Sequence, residues 1–425
     1  TTSSSMYNTA VGANAGYAVT TGVENTLIGG LSGDAITTGN NNTAMGHNSL
    51  STNILSDHNV AIGNDALATH NTATSIDSYN VAVGSGVGAA VTTGIQNTLI
   101  GGNAGDALTD ADFNIAIGTD ALGADTLGSR SIAIGRRALL TQNFTTATDT
   151  YNIAVGFEAG HNITTGVRNT LVGSIAGDAL TIGRYNTAFG YNTLATDIDG
   201  DYSVALGYGS LEMQESDSAN QNIYNTAVGA SAGANLTTGI QNTFVGGLSA
   251  QAGTITGDNN TTVGYTAGQA LTGAASCTFI GAGAGIGTQA YGSNTMVGAE
   301  AGPVVLGTNN TGVGVGCLTV CTGNTNTAFG VSSGIAITTG DQNVMIGPNS
   351  GRAGHPGGAV STADGQLCMG DDNITNAFIK VDWTVGSDQR DKTDFTALDL
   401  GLDFVKALSP VTYKWDSRSK YLTDE

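Results

Sequence analysis

Apolar and polar residues alternate in a five-residue phrase, Asn-Thr-Ala-Val-Gly and its variants, that recurs twenty times between Asn8 and Gly347. Its closing glycines stand at 12, 29, 46, 63, 84 and 101 and run on to 330 and 347, most steps being 17 residues. A fixed period near 20 marks a repeat architecture whose units bury their apolar side by stacking on their neighbours. The fourth position is always apolar (Val11, Ile28, Ile117, Phe329), the second is Thr, Val or Ile, and the third is usually Ala. These are strand residues, and a period of two puts the second and fourth side chains on one face and the third on the other. The pattern predicts a strand with its second and fourth positions inside each coil and with both faces covered.

The rest of the coil follows from smaller signals. The fifth position is always Gly, which fits a corner needing positive φ or an approach too close for a Cβ. Asn opens seventeen of the phrases, and a turn residue stacked on its own image in the next coil can form an amide ladder. A looser motif follows each glycine: two variable residues, then Ala or Ser, then Gly or Leu, as in Asp65-Ala66-Leu67 and Ile175-Ala176-Gly177. Two short strands and two turns per coil are expected. Helix is disfavoured, because Gly supplies 64 of 425 residues and interrupts any 3.6-residue apolar stripe. The fold class is therefore all-β, a parallel β-solenoid (β-roll or β-helix) of about 20 coils of ~17 residues, roughly 95 Å long at ~4.8 Å per strand.

A longer beat lies above the coil. Glycine steps of 17, 17, 17 and 21 recur, so four coils make a 72-residue unit in which Tyr7, Tyr79 and Tyr151, and Asp34, Asp106 and Asp178, keep time. The extra residues fall in 64–79, 136–151 and 208–224, which are expected to bulge as loops on one edge.

Charge changes the picture by exclusion. A formal net charge of −21 and a pI near 4.2 argue against nucleic-acid binding, which needs a surplus of Lys and Arg. All five lysines (380, 392, 406, 414 and 420) and both tryptophans (383 and 415) lie near the C-terminus, so a boundary is expected between about 352 and 380. This divides the chain into a repeat shaft over 1–352, a connector and strand pair over 353–386, and a small α+β segment over 387–425. The latter includes a helix signal from Ala397 to Leu408 that Pro410 stops. Cys277, Cys317, Cys321 and Cys368 lack metal-ligand spacing and read as buried free thiols. No apolar run reaches 18 residues and no signal peptide is evident, so no membrane insertion is expected. The chain opens on Thr1 one step from the first coil, which predicts a missing N-terminal attachment region.

Familiar chemistry is brushed against without being met. Gly281-Ala282-Gly283-Ala284-Gly285 and Gly312-Val313-Gly314-Val315-Gly316 read as coil corners, since neither opens a helix with the full nucleotide fingerprint. Asp197-Ile198-Asp199-Gly200-Asp201 lacks the distal Glu of a calcium loop and reads as a solvated turn. The histidines at 47, 58, 70, 161 and 355 are isolated. No cofactor and no metal are expected.

From Cys368 the language changes. Gly386-Ser387-Asp388-Gln389-Arg390-Asp391-Lys392-Thr393, the apolar helix signal, and Leu408-Ser409-Pro410-Val411-Thr412-Tyr413-Lys414-Trp415 follow in order. This order resembles the intramolecular chaperone domain of phage tail spikes and fibres of the endosialidase type. The resemblance implies a trimerising domain that assists folding of a β-structured stalk and then cuts itself off through a serine-lysine dyad. Carried over residue by residue, Ser387 is the implied nucleophile, Lys392 the general base and Gly386-Ser387 the scissile bond. A lysine can serve as that base once desolvation lowers its pKa. The alternative makes Ser387 a cap and Lys392 a solvated charge. Only 38 residues follow Ser387, which predicts that just the start of such a domain is present. The shaft phrase is also similar to the Asn-x-Val-Ala-Ile-Gly coils of trimeric adhesin heads, and both resemblances imply a homotrimer.

The expected function is a phage tail fibre or tailspike shaft. Its partners would be a host cell-surface receptor, glycan or protein, and other virion proteins bound through the missing N-terminal region. Two alternatives stay open: a bacterial trimeric surface adhesin, which needs a C-terminal membrane anchor, and a polysaccharide-degrading tailspike, which needs paired carboxylates in a groove.

Overall fold

A computed structural model describes residues 5–288, 291–354, 358–378 and 407–408. The chain divides into two compact units, Thr1–Ile374 and Thr375–Glu425. The first is an all-β solenoid. One three-residue strand per coil, from Thr9–Val11 to Leu367–Met369, joins a single 21-stranded sheet of parallel neighbours. Register follows the phrase position by position: Ile115, Ala116 and Ile117 face Ile132, Ala133 and Ile134. The last strand lies beyond residue 352, so the stack runs one coil into the expected connector.

The expected second strand of each coil is not general. Among the described residues it forms as two short pairs, Gly128–Ser129 with Thr148–Asp149 and Val304–Val305 with Val320–Cys321, and as isolated bridges. Elsewhere the remaining sides are turns that still bond from coil to coil, as in Leu122 N–H to the Ala138 carbonyl. Left-handed φ recurs every few residues there, for example at Ile175 (φ 51) and Gly177 (φ 56), and a backbone that turns so often cannot pleat.

The inward face is the reverse of the expectation. Beyond the first strand, where Ala10 is exposed, the third phrase position is buried and the second and fourth are exposed to varying degrees: Ala116 is at 0%, between half-covered Ile115 and Ile117. A coil of this size closes around a cavity too narrow for two branched side chains per strand. It admits one side chain from the strand, one from the opposite corner and, in many coils, a third three residues further on, such as Ile36, Leu108 or Leu180. Where the third position is Leu, Phe or Met, the corner is Gly or Ala (Leu27 with Gly33, Leu99 with Gly105, Phe244 with Ala250). Where the corner is Leu, the third position is Ala or Gly (Ala116 with Leu122, Gly312 with Leu318). A Cβ on Gly105 would stand 2.8 Å from Leu108 Cδ1 and 2.9 Å from Leu99 Cδ2. Where both positions are small, as in Ala82 with Gly88 and Ala154 with Gly160, leucines of the neighbouring coils (Leu67 and Leu99, Leu139 and Leu171) reach into the space.

The asparagine ladder forms, and its geometry accounts for Asn. Each side-chain oxygen accepts the backbone N–H of the Asn one coil on, as Asn25 Oδ1 does from Asn42 (3.0 Å). Most amide nitrogens donate to a corner carbonyl about 14 residues ahead, as Asn25 Nδ2 does to Gly39 (2.8 Å). A buried coil edge needs both a donor and an acceptor at every rung, which a short amide supplies. The closing glycine is required twice over. Gly118 has φ +132, and a Cβ there would stand 2.5 Å from the Gly135 carbonyl oxygen.

Candidate functional site

Ser387, Lys392 and the Gly386-Ser387 bond lie outside the described residues, as do most of the helix signal and residues 379–383 of the expected strand pair; the described part of that pair, Asn373–Phe378, forms no strand. What the structure places is the surface of the solenoid, which carries three distinct features.

The first is the outer face of the 21-stranded sheet. Its fourth-position column is apolar from end to end, with Phe189 at 52% and Phe329 at 59% exposure. Its second-position column is Thr, Val or Ile until Leu367 in the last strand. None of these outward strand residues is charged, although the chain carries a net −21.

The second is a column formed by the residue before each phrase. In the middle coils Phe113, Arg130, Tyr151, Arg168, Tyr185, Tyr202 and Tyr224 follow one another. The Arg130 guanidinium lies 4.9 Å from the Phe113 ring centre, and Arg168 lies 5.4 Å from Tyr185. Tyr185, Tyr202 and Tyr224 stack at 4.8 and 5.1 Å. Coil stacking puts each residue one strand spacing from its neighbour, the distance at which aromatic and guanidinium planes meet. Sequence reading caught the tyrosine beat but missed this column, whose members are spaced by whole coils. The sequence signal was the identity of the residue preceding each Asn.

The third is the set of bulges. Their tips are exposed, at 73–75, 145–147 and 215–220 apart from Ser216, as expected of loops. Their roots are not. In the second bulge Gln142 is fully buried, and its Nε2 donates to Asp125 Oδ2 (2.6 Å) and Ser131 Oγ (2.8 Å) while its Oε1 accepts from Asn152 Nδ2 (2.8 Å). Gln214 repeats this in the third bulge with Asp197 (2.6 Å), Ser203 (2.7 Å) and Asn225 (3.0 Å). Ser131 and Ser203 stand where the ladder lacks Asn, so the glutamine fills the missing rung. In the first bulge the equivalent residue is His70, whose imidazole is pushed down to about 4 by burial and bonds Ser78.

The aspartate run at 197–201 is therefore not a solvated turn. Asp197 is fully buried, accepting from Gly200 N–H (3.0 Å) and Gln214, and Asp201 accepts from Arg184 N–H (2.7 Å). Burial raises the Asp125 and Asp197 carboxyls above the usual range, against the pull of those donors. The two glycine-rich stretches are coil corners, as read, with φ +132 at Gly281 and +144 at Gly314. Among the described residues no three metal-capable side chains converge.

Among the shallow cavities on the surface, one of about 390 Å³ is lined by Tyr265, Ile286, Glu300 and Pro303 and another of about 310 Å³ by Asn349, Arg352, Asp371 and Asp372. Hydrogen bonds from Asn373 hold Asp371 below the usual carboxylate range, which suits an anion and not a general acid. The raised carboxyls Asp125 and Asp197 line neither cavity. No helix among the described residues is long and apolar enough to cross a membrane.

Residues 387–425 match the family described as the chaperone of endosialidase. The match begins at Ser387, the candidate nucleophile. No curated protein matches the chain.

Proposed function

We propose that this chain is the shaft of a homotrimeric phage tail fibre or tailspike, folded with the help of its C-terminal chaperone segment and freed from it by cleavage before Ser387. The observation that carries this reading is the junction itself: a parallel solenoid of 21 sheet strands, followed by a chaperone-of-endosialidase match that starts at Ser387. The fibre would belong to the virion, bind a host surface receptor and join other tail proteins. A stacked-coil shaft with corner glycines is suited to a structural role, since each coil is held by its neighbours along the whole stack.

In the cleavage step Ser387 Oγ adds to the Gly386 carbonyl carbon while Lys392 takes the hydroxyl proton. The amide C–N bond then breaks as the Ser387 nitrogen receives a proton, leaving Gly386 as an ester on Oγ. Water hydrolyses that ester to a Gly386 carboxylate and a free Ser387. Lys392 must lose part of its hydration to act as a base, so cutting follows assembly. Intact-mass spectrometry of the wild-type chain beside Ser387→Ala and Lys392→Ala tests the step. Cleavage in wild type alone is expected, and all three chains remaining at their full-length masses would refute the dyad.

The degradative reading is disfavoured by the placement of the carboxyls, because none of those raised by burial lines either cavity. A reducing-sugar assay on host capsule decides it. The bacterial adhesin reading rests on the coil phrase, whereas the chaperone match favours a phage fibre.

A further inference from the structure

We propose that the outer face of the 21-stranded sheet, the columns of second and fourth phrase positions, is the surface through which copies of this chain pack in register around an axis parallel to the coil stack. The inference rests on the homotrimer reading above and assigns the contact.

Three observations lead to it. Area is the first. Twenty-one strands at ~4.8 Å spacing and three residues at ~3.3 Å make a strip of on the order of 1,000 Å². Monomeric proteins rarely expose an apolar patch beyond roughly 300–600 Å², and a stable interface needs about 800 Å² per partner. The strip as a whole exceeds the interface size, with a fourth-position column that is apolar throughout and a second-position column that is Thr at thirteen of 21 strands.

Charge is the second. Copies carrying −21 each repel one another, and the strip between the strand edges is where two chains can meet without opposing carboxylates. Its widest apolar stretch is in the middle, where Ile115, Ile117, Ile132, Ile134, Ile153 and Val155 cover three consecutive rungs, all partly exposed. No lysine, proline or bulge blunts the face there.

Period is the third, and it selects the occupant. A second copy rotated about an axis along the stack presents the same residue at the same height, so Ile117 meets Ile117 and Thr98 meets Thr98 at every rung. The irregular steps, such as the 21-residue coils ending at Gly84 and Gly156, then match as well. A partner of another sequence would need an apolar strip of equal length with the same defects. The stacked aromatics and arginines that flank the strip, among them Tyr185, Tyr202 and Arg168, are residue types enriched at the hot spots of interfaces.

Cross-linking at single cysteines tests the contact in the 425-residue chain, whose four native thiols are buried. Ile117→Cys treated with a short bis-maleimide is expected to give a band at twice the 42.5 kDa chain mass, and Thr145→Cys at a bulge tip is not. Separately, Ile117→Lys with Ile134→Lys is expected to reduce the light-scattering mass from three chains to one while circular dichroism stays that of the solenoid. A wild-type trimer in which Ile117→Cys does not cross-link would overturn this interface and leave the trimer reading standing. A folded wild-type monomer would overturn both.

Discussion

Gly177 sits opposite Leu171 in one coil so closely that a Cβ on the glycine would stand 2.9 Å from Leu171 Cδ2. The relationship is reciprocal along the stack, since coils with a leucine at the glycine's place, such as Leu194 and Leu211, have alanine at the leucine's (Ala188, Ala205). Gly177→Leu alone is expected to destabilise by about 1–3 kcal/mol through overpacking, and Leu171→Ala alone by about 2–5 kcal/mol. The double variant frees the space Leu171 occupied, with left-handed φ already compatible with leucine at Leu194 (φ 50), while Leu180 stays where the Leu194 coil has Asp197. A double-mutant cycle on thermal unfolding should therefore give a favourable coupling of roughly 2 kcal/mol. Additive losses would show that the two residues do not share one volume.

The ladder makes a second expectation. Asn114 Oδ1 accepts from Ser131 N–H (2.8 Å) and its Nδ2 donates to the Gly128 carbonyl (3.0 Å), all inside the stack. Asn114→Ala strands one buried donor and one buried acceptor, a loss of about 2–4 kcal/mol. Hydrogen exchange should quicken first at the coils next to residue 114, because stability in a solenoid is a nearest-neighbour quantity. Unchanged protection there would count against the ladder.

Buried carboxyls and a buried imidazole give this protein opposite responses to acid. Asp125 and Asp197 have raised carboxyls, chiefly from burial, so the folded chain holds protons at a pH where the unfolded chain has released them. Their contribution is complete below the ordinary carboxyl range and is lost as pH rises through the raised values. His70, held at about 4 by burial, works the other way, since the unfolded imidazole takes up a proton as pH falls below 6.5. The melting temperature of the wild type relative to that of the Asp125→Asn, Asp197→Asn variant is therefore expected to climb as pH falls from 7.5 toward 5, His70 acting alike in both. A wild-type minus variant difference that shrinks over the same interval would contradict the assignment.

Thiol chemistry offers a direct check on the interior. All four cysteines are free and buried, and desolvation pushes the Cys317 thiol up to about 11. A disulfide-exchange reagent at pH 8 should leave the native protein unlabelled and modify four thiols after denaturation. Rapid labelling of the native chain would place a cysteine at the surface.

The bulges invite a narrower deletion than their sequence limits suggest. Removing 145–147 takes only the exposed tip, whereas a cut that includes Gln142 removes a buried rung and Phe144, which is 7% exposed. The tip deletion should leave the melting temperature within about 1 °C, consistent with surface changes of under ~0.5 kcal/mol. A deletion reaching Gln142 should lower it markedly. If the short deletion abolishes adsorption to host cells without loss of stability, the tip is a recognition element.

Much of this molecule was determined by sequence alone, because the forces involved are local and repeat. A phrase returning every 17 residues, a glycine at every fifth position and an asparagine at nearly every first are enough to specify coil number, parallel stacking, tight corners and a buried amide ladder. Each is a property of one residue and its image in the next coil. The direction the strand faces was decided by tertiary structure only. Alternation of period two reads the same with either face inward, and it is the narrow closure of the coil that admits Ala116 and turns Ile117 out. The buried Gln142 and Asp197 were hidden for a related reason. Polar residues in a loop look solvated until the stack closes over them, and their donors come from residues up to 17 positions away that only the fold brings within reach.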